Sequence, residues 1–164
     1  MMVISLLSMV GLSAMQATSA SAVANAHIWN DSNSSNLCLA ASQNLRGVPA
    51  IMWNCDAEGG QMWNTGGSGT NTFTITDASY NSCLDISGDS GSAGAWVYAD
   101  DCSHNSIYWS ADSKGGGYYE IINALTNQCL SVAGGSTAEG AHVIQWPCHG
   151  TADQLWYSPT GWNQ

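Results

Sequence analysis

Hydrophobic positions along this chain come in short bursts rather than long stripes. Phe73-Thr74-Ile75-Thr76, Val97-Tyr98-Ala99 and the run from Tyr118 to Ile122 gather β-branched and aromatic residues over a few positions, as short strands do. No stretch keeps a helical spacing of apolar residues for more than two turns. Between the bursts lie Gly66-Gly67-Ser68-Gly69, Gly115-Gly116-Gly117 and Gly134-Gly135, which suit tight turns with positive φ. The pattern predicts an all-β protein.

The pattern also repeats. Cys38-Leu39, Cys83-Leu84 and Cys129-Leu130 are spaced by 45 and 46 residues. A second cysteine follows each, at Cys55, Cys102 and Cys148, and then a tryptophan, at Trp63, Trp109 and Trp156. Nine landmarks hold one period to within a residue, so the chain is built from three equivalent units. Six cysteines allow 15 pairings. Bridges within each unit treat the three alike through short loops: Cys38–Cys55, Cys83–Cys102 and Cys129–Cys148. An opening strand is expected ten residues before each Cys-Leu, at Ile28, Phe73 and Tyr119, giving four strands per unit and twelve in all. Three such units can close into a barrel, which removes exposed edges. Leu39, Leu84 and Leu130 with Trp63, Trp109 and Trp156 are the expected threefold core.

Charge and composition narrow the setting. Residues 1–26 carry no charged side chain, are mostly apolar from Met2 to Leu12, and end in the small-x-small Ala24-Asn25-Ala26. They read as a secretory leader, too short in its apolar part to span a bilayer. One domain over residues 27–164 is then expected, with repeats at about 27–72, 73–117 and 118–158. Arg46 and Lys114 are the two strong cations in a chain of net charge −10, which argues against nucleic acid and anionic membrane as partners. An even cysteine count behind a leader fits an extracellular disulfide framework. Asn30-Asp31-Ser32 and Asn33-Ser34-Ser35 are glycosylation sequons if the host is eukaryotic.

These landmarks resemble a known family. Cys83-Leu84-Asp85-Ile86 and Cys129-Leu130-Ser131-Val132, joined with Gln61-Met62-Trp63, Gln154-Leu155-Trp156 and the altered Ile107-Tyr108-Trp109, are similar to the ricin B-chain lectins and family-13 carbohydrate-binding modules. The likeness runs over residues 27–158 and implies a disulfide-stapled β-trefoil that binds glycans or glycoproteins in shallow pockets, up to one per repeat. It implies no cofactor. The family pocket uses an Asp just after Cys-Leu, an aromatic plate two residues before the second cysteine, and an Asn-Gln pair. Such a set suits a sugar, which has an apolar C–H face and a rim of hydroxyls.

No repeat carries that set complete. The first has Trp53 and Gln61, but Ala40 and Gly60 stand at the Asp and Asn positions. The second has Asp85, but Asp100 and Ile107 stand at the plate and Gln positions; Tyr98 and Asn105 are candidate substitutes. The third has Trp146, Asp153 and Gln154, with Ser131 at the Asp position, and ranks first as a binding site. Three rivals compete. Catalysis would need convergent groups, and neighbours such as Asp100 and Asp101 point to opposite faces of a strand. A metal site would need imidazoles that converge with His27, whereas His104, His142 and His149 are scattered. A trefoil with decayed sugar sites could instead bind protein, for example as a protease inhibitor.

Overall fold

The computed structural model describes residues 23–32, 36–42, 46–56, 60–67 and 71–162. The expected leader therefore lies outside the described residues as far as Ala22, as does Asn33. The strands are β1 (Val23–Ala26), β2 (Trp29–Asn30), β3 (Leu37–Ala41), β4 (Val48–Asn54), β5 (Trp63–Gly67), β6 (Phe73–Asp77) and β7 (Cys83–Ile86). They continue as β8 (Val97–Asp100), β9 (Tyr108–Gly115), β10 (Tyr118–Asn123), β11 (Cys129–Val132), β12 (Val143–Trp146) and β13 (Trp156–Tyr157).

Alternation decides which side chains face inward. In β6, Phe73, Ile75 and Asp77 are buried while Thr74 and Thr76 are partly open. The antiparallel pairs β1·β5, β5·β6, β6·β9, β9·β10, β10·β13 and β13·β2 run in a ring. Because β1 and β2 are parts of one run of chain, the ring closes as a barrel. The hairpins β3·β4, β7·β8 and β11·β12 form a cap. They meet one another through Pro49↔Tyr98, Trp96↔Ile144 and Ile51↔His142, three equivalent pairings about one pseudo-threefold axis. This is a β-trefoil.

The expected core is the observed one. Leu39, Leu84, Leu130, Trp63, Trp109 and Trp156 are all at most 1% exposed. Each indole N–H donates to the carbonyl of the leucine in its own repeat: Trp63 to Leu39 at 2.9 Å, Trp109 to Leu84 at 3.0 Å and Trp156 to Leu130 at 2.9 Å. A bulky ring thus enters the core without stranding its polar atom. The three bridges are Cys38–Cys55, Cys83–Cys102 and Cys129–Cys148, each within a repeat.

The opening strand of the first repeat differs from expectation. Phe73 pairs with Trp109 and Tyr119 with Trp156, but the equivalent partner of Trp63 is Ala26. Ile28 falls between β1 and β2, buried at 1% exposure. Eight residues separate Asn30 from Cys38, whereas six separate Asp77 from Cys83 and Asn123 from Cys129. Two additional residues in that connection displace any register counted back from Cys38. They leave the barrel itself in phase.

The two cations are spent on structure. Lys114 Nζ sits 2.7 Å from both Asp112 and Glu120, and Glu120 is a buried carboxylate. These two hydrogen bonds raise the Lys114 ammonium to about 12. Arg46 donates to the Tyr80 carbonyl at 3.2 Å.

Candidate functional site

In each repeat the residue two before the second cysteine lies at or next to the end of a cap strand, and the structure supports it from the neighbouring repeat. Gly94 N–H donates to the Gln145 carbonyl beside Trp146, Gly140 to Met52 beside Trp53, and Gly47 to Ala99 beside Asp100, each at 2.8 Å. All three glycines have positive φ. A methyl group on Gly94 would lie 3.5 Å from the Trp146 ring. That is an ordinary contact distance, so it is the positive φ of Gly94 that calls for glycine. Trp53 and Trp146 project from these seats with 42% of their surface exposed. Each indole thus offers an apolar face to solvent, with its N–H as a polar handle.

The polar positions show an exchange that single-position reading misses. In the third repeat, Ser131 Oγ on β11 donates to Asp153 Oδ2 at 2.7 Å, across to the short 3₁₀ turn Ala152–Gln154. In the second, the partners are reversed: Asp85 lies on β7 and Ser106 on the turn Asn105–Ile107, and Ser106 Oγ donates to Asp85. The same hydroxyl–carboxylate pair is kept with its ends swapped. In the first repeat both ends are gone, as Ala40 and Gly60.

The swap changes what the carboxylate can reach. Asp85 is 1% exposed, and its two oxygens are held by Ser106 and by His104 Nδ1. Asn105 Nδ2 turns to Asp89 at 3.4 Å, and Ser106 Oγ also lies 2.7 Å from Asp89. That hydrogen bond is the main reason the Asp89 carboxyl is lowered. Tyr98 pairs with Asp85 across β7·β8 and stacks on Trp96, with ring centroids 6.3 Å apart. Asp85 and Asn105 are thus tied into a closed network around Ser106, while Tyr98 stays outside it, against Trp96. Asp153, by contrast, is partly exposed, bonded by Ser131 and Thr151.

His104 reports on that network. The hydrogen bond and charge of Asp85 raise its imidazole above 6.5. A raised folded-state pKa stabilises below the unfolded value and loses that contribution as pH climbs through the folded one. The His104 ring-proton titration followed by NMR is expected to have its midpoint above 6.5, and Asp85→Asn to return it towards 6.5.

Around the third-repeat pair lies a cavity of about 430 Å³, lined by Ser131, Gly135, Ile144, Trp146, His149 and Asp153. His149 Nδ1 is 2.7 Å from Thr151 Oγ1, which in turn donates to Asp153. Ile144 was not among the sequence candidates, and His149 was weighed only for catalysis and metal binding, not for sugar. The repeat phase could have flagged both, since Ile144 lies two residues before the plate and His149 directly after the second cysteine. Gln154, expected as a sugar contact, faces inward at 0% exposure. Its amide donates to the Pro147 carbonyl at 3.0 Å and accepts from His149 N–H at 2.8 Å. Gln61 does the same between Asn54 and Asp56, so this amide braces the turn behind the plate.

The turn bearing Asp153 is pinned from the first repeat. Asn30 Nδ2 donates to the Asp153 and Leu155 carbonyls at 3.0 and 3.1 Å, with Asn30 2% exposed. Asn123 Nδ2 holds the second-repeat turn through Ser106 O at 2.7 Å. A glycan on Asn30 would break this brace. Mass spectrometry of protein from a eukaryotic host is therefore expected to find Asn30 unmodified.

The rival chemistries have structural explanations. Asp101 accepts from Ser103 N and Oγ in a turn, and those bonds lower its carboxyl. The clusters His27–Cys38–Cys55 and Glu120–Cys129–Cys148 draw their sulfurs from disulfides, which offer no thiolate to a metal.

Comparison with known proteins agrees with the fold. Residues 16–116 match the ricin-type β-trefoil lectin domain, and residues 105–163 match a ricin-type β-trefoil lectin domain-like model. No curated protein matches the sequence. Among solved structures, the designed threefold-symmetric protein ThreeFoil superposes with TM-score 0.77 at 23% identity, covering 82% of this chain and 96% of that one. The C-half of the earthworm R-type lectin, in complex with GalNAc, gives 0.62 at 18% identity, covering 82% and 97%. The Polyporus squamosus lectin, bound to a sialylated epitope, gives 0.70 at 19% identity over 82% of this chain, which spans 48% of the lectin's length.

Proposed function

This chain belongs to the ricin-type β-trefoil lectin domain family, and on that footing we propose that it is a secreted, non-catalytic carbohydrate-binding protein working through its third repeat. One observation carries the choice of repeat. An exposed tryptophan, a partly open carboxylate and a cavity coincide at Trp146 and Asp153. The first repeat offers a plate without acceptors, and the second an acceptor without a plate.

The chemistry follows from the shape. The indole of Trp146 covers the apolar face of a sugar ring. Ser131 holds Asp153 Oδ2 and Thr151 holds Oδ1, and the carboxylate accepts sugar hydroxyl protons on its remaining lone pairs. Gly135 keeps the rim low beside Asp153, where an added methyl would lie 3.8 Å from the Asp153 Cβ. Asp153 is the single carboxylate among the lining residues, and glycoside hydrolysis uses two flanking the bond. Binding without turnover is the fitting reading.

A glycan array probed with the disulfide-intact protein tests this. Sugar-dependent spots that free sugar competes away are expected. An array blank on every glycan refutes the proposal and favours a protein target. One working pocket per chain also predicts binding without agglutination by the monomer, since crosslinking needs two sites in one particle.

A further inference from the structure

The sequence holds three overlapping Ala-x-Ala peptidase motifs over residues 20–26, and the fold chooses among them. Ala20-Ser21-Ala22, Ala22-Val23-Ala24 and Ala24-Asn25-Ala26 all have small residues at the first and third positions, behind the same apolar run. We propose that the leader is removed after Ala22, so that the mature chain begins at Val23 with the strand that closes the barrel.

Strand β1, Val23–Ala26, occupies the four residues between the first and the last of these cleavage points. It pairs antiparallel with β5, Val23 opposite Thr65 and Ala26 opposite Trp63. This seam is the first-repeat counterpart of Phe73↔Trp109 and Tyr119↔Trp156. Asn25 N–H donates to Asn64 Oδ1 at 2.8 Å, and Ala26 is buried at 5% exposure. A chain cut after Ala26 would keep two of the three seams and lose the third. The outer edge of β5 would then present unpaired backbone groups beside the buried Trp63. A cut after Ala24 would remove the Val23↔Thr65 pair, whereas cleavage after Ala22 leaves every seam intact and removes the whole apolar run. A secreted domain folds after its leader has gone, so a strand belonging to the fold must belong to the mature chain.

The proposal rests on the secretory reading, and the test separates the two. The full chain is expressed with its own leader in a secreting host, and the amino terminus of the exported protein is sequenced. Val-Ala-Asn-Ala-His is the expected start. His-Ile-Trp-Asn overturns the boundary while leaving secretion standing; a cell-retained chain beginning at Met1 overturns secretion itself. A second measurement compares the protein beginning at Val23 with one beginning at His27. The shorter form is expected to melt several degrees lower and to exchange the β5 amide hydrogens faster. Equal melting and equal exchange would show that the strand is dispensable, against the proposal.

Discussion

Trp109→Ala is expected to cost about 3–5 kcal/mol of stability through lost apolar burial and the cavity left behind. The ring is 0% exposed at the centre of the threefold core, so little can move in to fill the space. A second loss accompanies it. The Leu84 carbonyl gives up its 3.0 Å bond from the indole, and a buried carbonyl left without a partner costs roughly 1–3 kcal/mol more. Against a net stability of about 5–15 kcal/mol for a natural domain, that sum brings the chain close to unfolding at room temperature. Denaturant unfolding followed by tryptophan fluorescence measures it. Trp109→Phe separates the two parts, since it keeps most of the volume and loses the N–H. Trp63 and Trp156 make the same bond, so their alanine variants should fall in the same range. A Trp109→Ala protein as stable as the parent would mean that the three repeats do not share one core.

Trp146→Ala is expected to abolish retention on immobilised glycan and leave the melting temperature nearly unchanged. An aromatic that anchors a ligand commonly contributes about 2 kcal/mol or more, which is roughly 30-fold in Kd. The ring is 42% exposed and belongs to no part of the core, so its removal touches binding before stability. Asp153→Asn should weaken binding too, because it replaces a two-oxygen acceptor by one oxygen and a donor, while Ser131 can still donate to the remaining oxygen. Trp53→Ala is the control. It removes an equally exposed indole from a repeat with Ala40 and Gly60 at the polar positions, and retention should stay at the parental level. A Trp53→Ala variant that loses binding while Trp146→Ala keeps it would move the site to the first repeat.

These expectations show which parts of the molecule the sequence exposes. Cysteines, core leucines and core tryptophans are legible because each occurs three times in phase, and a residue that serves the shared centre has to recur. The bridges and the three indole-to-leucine bonds follow from that one regularity. The first opening strand was harder to place because the count back from Cys38 crosses a connection two residues longer than its counterparts. Counting forward from Ile28, Ile75 and Ile121, all buried, would have kept the phase.

The site was legible by position and not by partnership. Ser131 and Asp85 occupy one repeat position, Asp153 and Ser106 another, and read singly each serine is a loss. The compensation exists only across the gap between a strand and a 3₁₀ turn, where one hydroxyl meets one carboxylate. Gln154 shows the opposite case. Its recurrence with Gln61 suggests a ligand contact, but recurrence serves bracing equally well, and the hydrogen bonds at both ends of each amide are to backbone. The closed state of the second repeat depends on His104, which stands where the third repeat has Thr151. No local pattern distinguishes those two turns until the chain is folded.

The account turns on Trp146 as the surface against which a sugar lies. The eight indole N–H signals of the protein give a direct readout when a glycan that binds on the array is titrated in and followed by NMR. The Trp146 signal should shift progressively and saturate, while those of Trp63, Trp109 and Trp156 in the core stay fixed. Saturable binding with the Trp146 signal unmoved would contradict the account.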